Sequence, residues 1–235
     1  MSAQPNPHSE NRLLARLPSE DYARLLPQME LVELQHGRVL TEAGARMEYA
    51  YFPLHAMISL ISHTAAGESV EVGVVGFEGL VNISLILGVD NSPHEALVQF
   101  PDSAMRIKQE ILRAEFKRGG ALHDHLLRFT QGLLLQTSQV AACNRLHSVA
   151  ERLARWLLMS QDRCLCEELP FTHEFLALML GVRRAGVTEA AIILQAEGFI
   201  NYRRGHINII DRAGLEAFSC ACYDVIKTEF NLLVN

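Results

Sequence analysis

No run of eighteen apolar residues occurs in this 235-residue chain, so nothing in it reads as a membrane-spanning helix. The opening MSAQPNPHSENR has no apolar stretch of the kind a secretory leader carries, and a cytoplasmic protein is expected. Cysteines are few and odd in number, at 143, 164, 166, 220 and 222, and suggest no disulfide framework. A surplus of basic charge is missing too: the formal net charge is -6. That argues against a protein that coats nucleic acid without regard to sequence. It leaves room for a reader whose positive charge sits on one helix and one hairpin. Catalytic signatures are also lacking. There is no Gly-x-Gly-x-x-Gly, P-loop, HExxH or nucleophile elbow, and the dispersed histidines and carboxylates select no site. No enzyme activity is expected. What is present is apolar substance: 49% of the residues are hydrophobic, enough for one large core or two modest ones.

The chain divides by texture into 1–118, 119–162 and 163–235. Residues 1–12 are polar and expected to be loose; 13–29 carry leucines at helical spacing, with a break at Pro18 and a fresh start at Ser19. From Leu31 to Ile107 short runs alternate: LVEL, RVL, YAYFPL, MISLIS, SVEVGVV, ISLILG, EALVQF and AMRI. Turn signals such as His36-Gly37, Ala66-Gly67 and Asp90-Asn91-Ser92-Pro93 separate them. This is the pattern of a many-stranded antiparallel roll. Helical texture returns at Gln109 and runs to about Asp162. Within it Leu126, Phe129, Leu133, Gln136, Val140, Cys143, His147 and Ala150 fall three and four apart. That is a heptad seam, which predicts a parallel homodimer; the alternative is a stripe that packs on the chain's own roll. Val149, Leu153, Trp156 and Leu157 form a second apolar face, able to anchor the third segment.

The third segment holds the most informative stretch, Thr172 to Ile210. Thr172 is placed to cap a helix, and Gly181 allows a tight turn after it. Ala177 lies where two helices must approach closely. Val187 and Ala190, three apart, share one face of the second helix. Two strands then flank the polar turn Arg203-Arg204-Gly205-His206, and a final helix runs over about Arg212–Leu233. Helix, turn, helix and wing in this order are a common device for entering a DNA major groove.

Several motifs now align with one group of proteins. They are Arg152-Leu153-Ala154-Arg155-Trp156-Leu157-Leu158, Leu176-Ala177 with Leu180-Gly181, then Arg184, Val187 and Thr188. Gly198-Phe199-Ile200, Arg204-Gly205-His206-Ile207 with Asp211, and, less closely, Val74 to Leu80 continue the match. The chain resembles the catabolite-activator and fumarate–nitrate-reduction (CRP/FNR) superfamily of bacterial transcription regulators. The resemblance implies an α+β fold: a cyclic-nucleotide-binding-like β-roll, a long dimerisation helix and a C-terminal winged helix-turn-helix. It also implies a homodimer bound to double-stranded DNA at an inverted repeat, in contact with RNA polymerase.

In that frame Arg184 is the expected guanine reader, because a guanidinium can make two hydrogen bonds to one guanine edge. Ala185 and Glu189 stand where the family commonly places glutamate and arginine, so family operators do not transfer. Glu189 can accept from a cytosine amino group or repel phosphate. Gly186 stands where threonine is common and lets a backbone come close. Thr172, Arg183, Thr188, Arg203, Arg204 and His206 are the expected phosphate contacts, which position without specifying. His173 is either part of this set or a surface residue. An effector pocket is expected around Gly76, Glu78, Gly79, His94 and Glu95. In cyclic-AMP binders of the family an Arg-Ser or Arg-Thr pair holds the phosphate; here His94-Glu95 aligns with it, and Glu95 would repel the phosphodiester. Cyclic AMP in the usual pose is therefore not expected, unless Arg46 or Arg106 reaches the pocket. No cofactor is predicted and the effector is unknown. An N-terminal iron–sulfur cluster has no ligands, since Cys143 is the first cysteine. Cys164-x-Cys166 and Cys220-x-Cys222 are closer than the usual zinc pair and read as small apolar filling, so no metal site is expected. Cys143 in a dimer seam could act as a thiol switch. The rival reading is a cyclic-nucleotide-responsive or protein-interaction module whose winged helix serves only for packing.

Overall fold

A computed structural model describes residues 10–234; the polar start, residues 1–9, lies outside them. Asn11 caps α1 (Arg12–Ala15) through its side-chain oxygen and donates to the carbonyls of Pro53 and Gly79, pinning the chain start to the roll. α2 (Ser19–Leu25) begins after Pro18, as the sequence predicts. Seven strands follow: β1 (Met29–Leu34), β2 (Val39–Thr41), β3 (Tyr49–Pro53), β4 (Met57–His63), β5 (Ser69–Val75), β6 (Glu95–Phe100) and β7 (Asp102–Lys108). All pair antiparallel, in two sheets ordered β1-β7-β3 and β2-β6-β4-β5. Leu34, Ala50 and Phe52 of the first sheet share a core with Ile58, Ile61 and Val98 of the second. The run ISLILG is not a strand. It winds into a short 3-10 turn at Ile83–Leu87, bounded by Asn82 (φ 66°) and Gly88 (φ 86°), both left-handed.

The predicted long helix is three helices. α3 (Gln109–Arg118) ends at Gly119-Gly120, both at positive φ, where the chain turns into α4 (Ala121–Leu146). α4 in turn stops at His147, whose backbone is extended. Ser148 then opens α5 (Val149–Cys164) with a capping box: its hydroxyl accepts from the Glu151 amide, and the Glu151 carboxylate accepts from the Ser148 amide. His147 and Ala150 therefore do not continue the seam.

The seam itself faces inward. Leu126, Phe129, Gln136, Val140 and Cys143 are buried within the one chain, and Leu133 is half-buried. Gln136 shows why: its amide pairs with both backbone groups of Val74, on the edge strand β5. A polar seam residue thus satisfies a sheet edge instead of setting a dimer register. Phe129 lies 6.2 Å from the ring of Phe230 on the last helix. The stripe packs on its own roll and on that helix. The face of α4 left uncovered carries Leu127, Leu134 and Ala141, seven apart, with Gln131 and Ser138 between them.

α5 is the keel. Leu153, Trp156 and Leu157 extend the core from the roll into the third segment. That segment comprises β8 (Glu168–Leu169), α6 (His173–Leu180), α7 (Arg184–Ala196), β9 (Ile200–Arg203), β10 (His206–Ile209), α8 (Arg212–Phe218) and α9 (Cys222–Val234). The wing has a third strand, β8, paired with β10, and the predicted final helix is divided at Ser219–Ala221. Cys164 and Cys166 are joined as a disulfide around Leu165, which takes a left-handed conformation; this corrects their reading as apolar filling. Among the described residues no helix is long and apolar enough to cross a membrane.

Candidate nucleic-acid interface

The turn between α6 and α7 is built as the sequence predicts. The Thr172 hydroxyl accepts from the Phe175 amide and opens α6, and Gly181 (φ +60°) ends it. The Val182 amide returns to the Ala177 carbonyl, closing the turn. Arg152 of α5 donates to the Leu180 carbonyl, so a guanidinium covers the C-terminal end of α6. Val187, Ala190, Ala191 and Leu194 bury one face of α7 against α6 and α5. The opposite face is open: Arg183, Arg184, Ala185, Glu189, Ile192 and Ile193 are exposed. Ala185 and Glu189 lie on one stripe, four apart. Arg184 approaches Glu174 to only 3.9 Å with both side chains mostly in solvent, a contact worth little.

The wing turn has two residues, Arg204 (φ 52°) and Gly205 (φ 86°), between the paired Arg203 and His206. Two successive positive φ values make the hairpin turn that matches strand twist. It leaves Arg203, Arg204 and His206 exposed. His206 lies 3.2 Å from Glu168 of β8. The chain thus gathers Arg183 and Arg184 at the start of one exposed helix and three further basic groups at the tip of the adjoining hairpin.

Two expected phosphate contacts are partly engaged elsewhere. The Thr188 hydroxyl donates to the Arg184 carbonyl and lies 3.0 Å from His173 Nδ1, so its proton is committed within the helix. The Thr172 oxygen serves its own helix cap. His173 belongs to the architecture and not merely to the surface. Its ring stacks on Tyr202 of the wing at 4.1 Å, and burial, then the Arg184 charge, push its imidazole below the usual range. Gln195 Oε1 accepts from the Tyr202 amide and holds the wing to the end of α7. Neither Tyr202 nor Gln195 has a pattern in the sequence that would reveal it, because both act through one tertiary contact.

The five residues expected to form an effector pocket do not converge. Glu78 is buried in an ion pair with Arg163 of α5 at 2.7 Å, and the Gly76 amide donates to the same carboxylate. Gly79 is a packing residue: a Cβ there would lie 2.3 Å from the Phe129 ring. Glu95 turns to His63, 3.1 Å away. Of the five only His94 lines the small cavity of about 90 Å³ beneath α4, whose wall mixes apolar Leu60, Val72 and Leu133 with polar Asn82, Ser84 and Ser92. Burial lowers the His94 pKa, which favours its neutral form. Arg106 is held by Glu30 at 2.8 Å, and Arg46 lines a separate hollow beside Glu48 and Tyr49. Neither arginine lines this cavity.

Residues 151–218 match the Crp-like helix-turn-helix domain. No curated protein sequence matches the chain. Among solved structures, FixK2 from Bradyrhizobium japonicum is 14% identical, with 82% of this chain and 98% of that one covered and a TM-score of 0.70. The c-di-GMP responsive global regulator CLP of Xanthomonas campestris is 17% identical, with 82% and 99% covered and a TM-score of 0.65. A CRP/FNR-family transcriptional regulator from Thermus thermophilus is 20% identical, with 81% and 98% covered and a TM-score of 0.64. At these identities the likeness establishes the fold, which is that of the CRP/FNR regulators.

Proposed function

We propose that this chain, with its CRP/FNR-type fold and Crp-like helix-turn-helix domain, is a cytoplasmic, sequence-specific transcription regulator that binds an inverted-repeat operator as a homodimer. The observation that carries the reading is the pairing of exposed arginines on two adjoining elements, Arg183 and Arg184 at the start of α7 and Arg203 and Arg204 on the wing. A helix used only for packing has no need of cations at these two places. Arg184 reads a guanine; the Ala185 methyl is suited to a thymine methyl, and Glu189 to a cytosine amino group. Arg183, Arg203, Arg204 and His206 bind phosphates. The chain pairs through the uncovered α4 face of Leu127, Leu134 and Ala141, and RNA polymerase is its further partner. The effector is unknown, and cyclic AMP in the usual pose is not expected: the cavity that His94 lines is small and has no arginine in its wall. Selection of bound duplexes from a random pool tests the proposal. It predicts enrichment of an inverted repeat with a guanine in each half-site; a pool that stays random after repeated rounds, with folded protein, would favour the packing-only reading.

A further inference from the structure

Cys143, Cys220 and Cys222 form a small buried cluster of their own, apart from the main core. His147 joins them: the three sulfurs and one imidazole nitrogen all lie within 4.8 Å of one another. Cys143 and His147 come from the last turn of α4 and its cap, one turn apart. Cys220 comes from the turn between α8 and α9 and Cys222 opens α9; Ala221 between them is exposed and both cysteines are buried. The single-residue spacing that argues against a metal pair is thus irrelevant, because the turn supplies the convergence. Cys143 Sγ lies 3.4 Å from Cys220 Sγ, and Cys222 Sγ lies 3.7 Å from His147 Nδ1. A tetrahedral zinc ion with ordinary bond lengths holds such ligand atoms about 3.5–3.8 Å apart.

We infer that Cys143, His147, Cys220 and Cys222 bind one zinc ion in a closed Cys3His site that ties the end of α4 to the α8–α9 turn. The donor set is that of structural zinc. Three thiolates and a divalent cation leave one negative charge. Arg155, 2% exposed and with its Nε unpartnered, lies beside Cys143 and meets that charge. Binding exchanges thiol protons for the metal and involves no oxidation. His147 is the residue at which α4 stops before α5 begins, so the ion would hold the joint between the roll's long helix and the helix that carries the DNA-binding unit.

Metal analysis of the full-length protein, purified with reductant and equilibrated with Zn2+, tests this. One tightly held zinc per chain is expected. Cys143→Ser, Cys220→Ser and Cys222→Ser should each lose it, while Cys164→Ser/Cys166→Ser should retain it. Where a variant does not fold, Co2+ added to the wild-type protein decides: thiolate-to-cobalt charge transfer with tetrahedral visible bands is expected. Fully reduced wild-type protein that takes up neither ion, a folded triple variant that still binds, or a Cys143–Cys220 disulfide in protein isolated without oxygen would overturn the assignment.

Discussion

Glu71 is a carboxyl wholly enclosed between the roll and α5. Trp156 Nε1 donates to it at 2.9 Å and Gln99 at 3.1 Å, and the Ser59 hydroxyl also donates. Burial raises its pKa, against the opposing pull of Ser59, the Arg155 charge, Trp156 and Gln99. The folded protein then holds a proton the unfolded chain releases, so this contribution is present at low pH and lost as pH rises through the raised value. Urea unfolding at a series of pH values should show a decline above the ordinary carboxylate range, and Glu71→Gln, which cannot ionise, should flatten it. Gly186 offers a second test at this scale. A Cβ there meets no atom within 4 Å, so Gly186→Ala should raise helix stability by up to about 1 kcal/mol. If DNA backbone approaches this point, operator affinity falls in the same variant while thermal stability rises. Neither environment is written in the sequence. Glu71 reads as one polar position of an alternating strand, and only the fold sets Trp156, 85 residues away, against it.

At the scale of elements, α4 is where periodicity misleads. The heptad from Leu126 to Cys143 is real, but a stripe that can pack on another helix can equally pack on a roll and on α9, and periodicity is blind to the choice. The deciding residue is Gln136, whose amide matches the open edge at Val74. Leu127 and Leu134, which lie outside that heptad, are exposed, at 42% and 61%. Sedimentation should therefore find Leu134→Glu monomeric with its fold intact. Leu133→Glu should instead destabilise the roll, since Leu133 lies against Gly73 of β5. A Leu134→Glu protein that remains dimeric would remove α4 from the interface. The short elements, by contrast, were legible: Thr172, Gly181 and Arg204-Gly205 act through local backbone chemistry, which sequence carries directly.

For the whole molecule the joints between roll, α5 and the DNA-binding unit decide how the arginines are presented. Glu78 and Arg163 form one such joint, both nearly dry. Removing one partner of a buried pair strands the other charge, so Arg163→Ala should cost about 3–5 kcal/mol in urea unfolding. Val70 of the β4–β5 hairpin packs against Gly181, and a cleft of about 830 Å³ opens between that hairpin and Arg183 and Arg184. The start of α7 thus borders the roll, a relation that no motif announces because it joins residues more than a hundred positions apart. Arg184 carries the proposed base recognition. Competition binding at fixed salt, with the selected duplex against its single base-pair variants, tests it most directly. Arg184→Ala should weaken operator binding by about 1–3 kcal/mol and abolish the preference at one base pair in each half-site. A variant that keeps the full preference at every position would contradict the assignment of α7 as the reading helix.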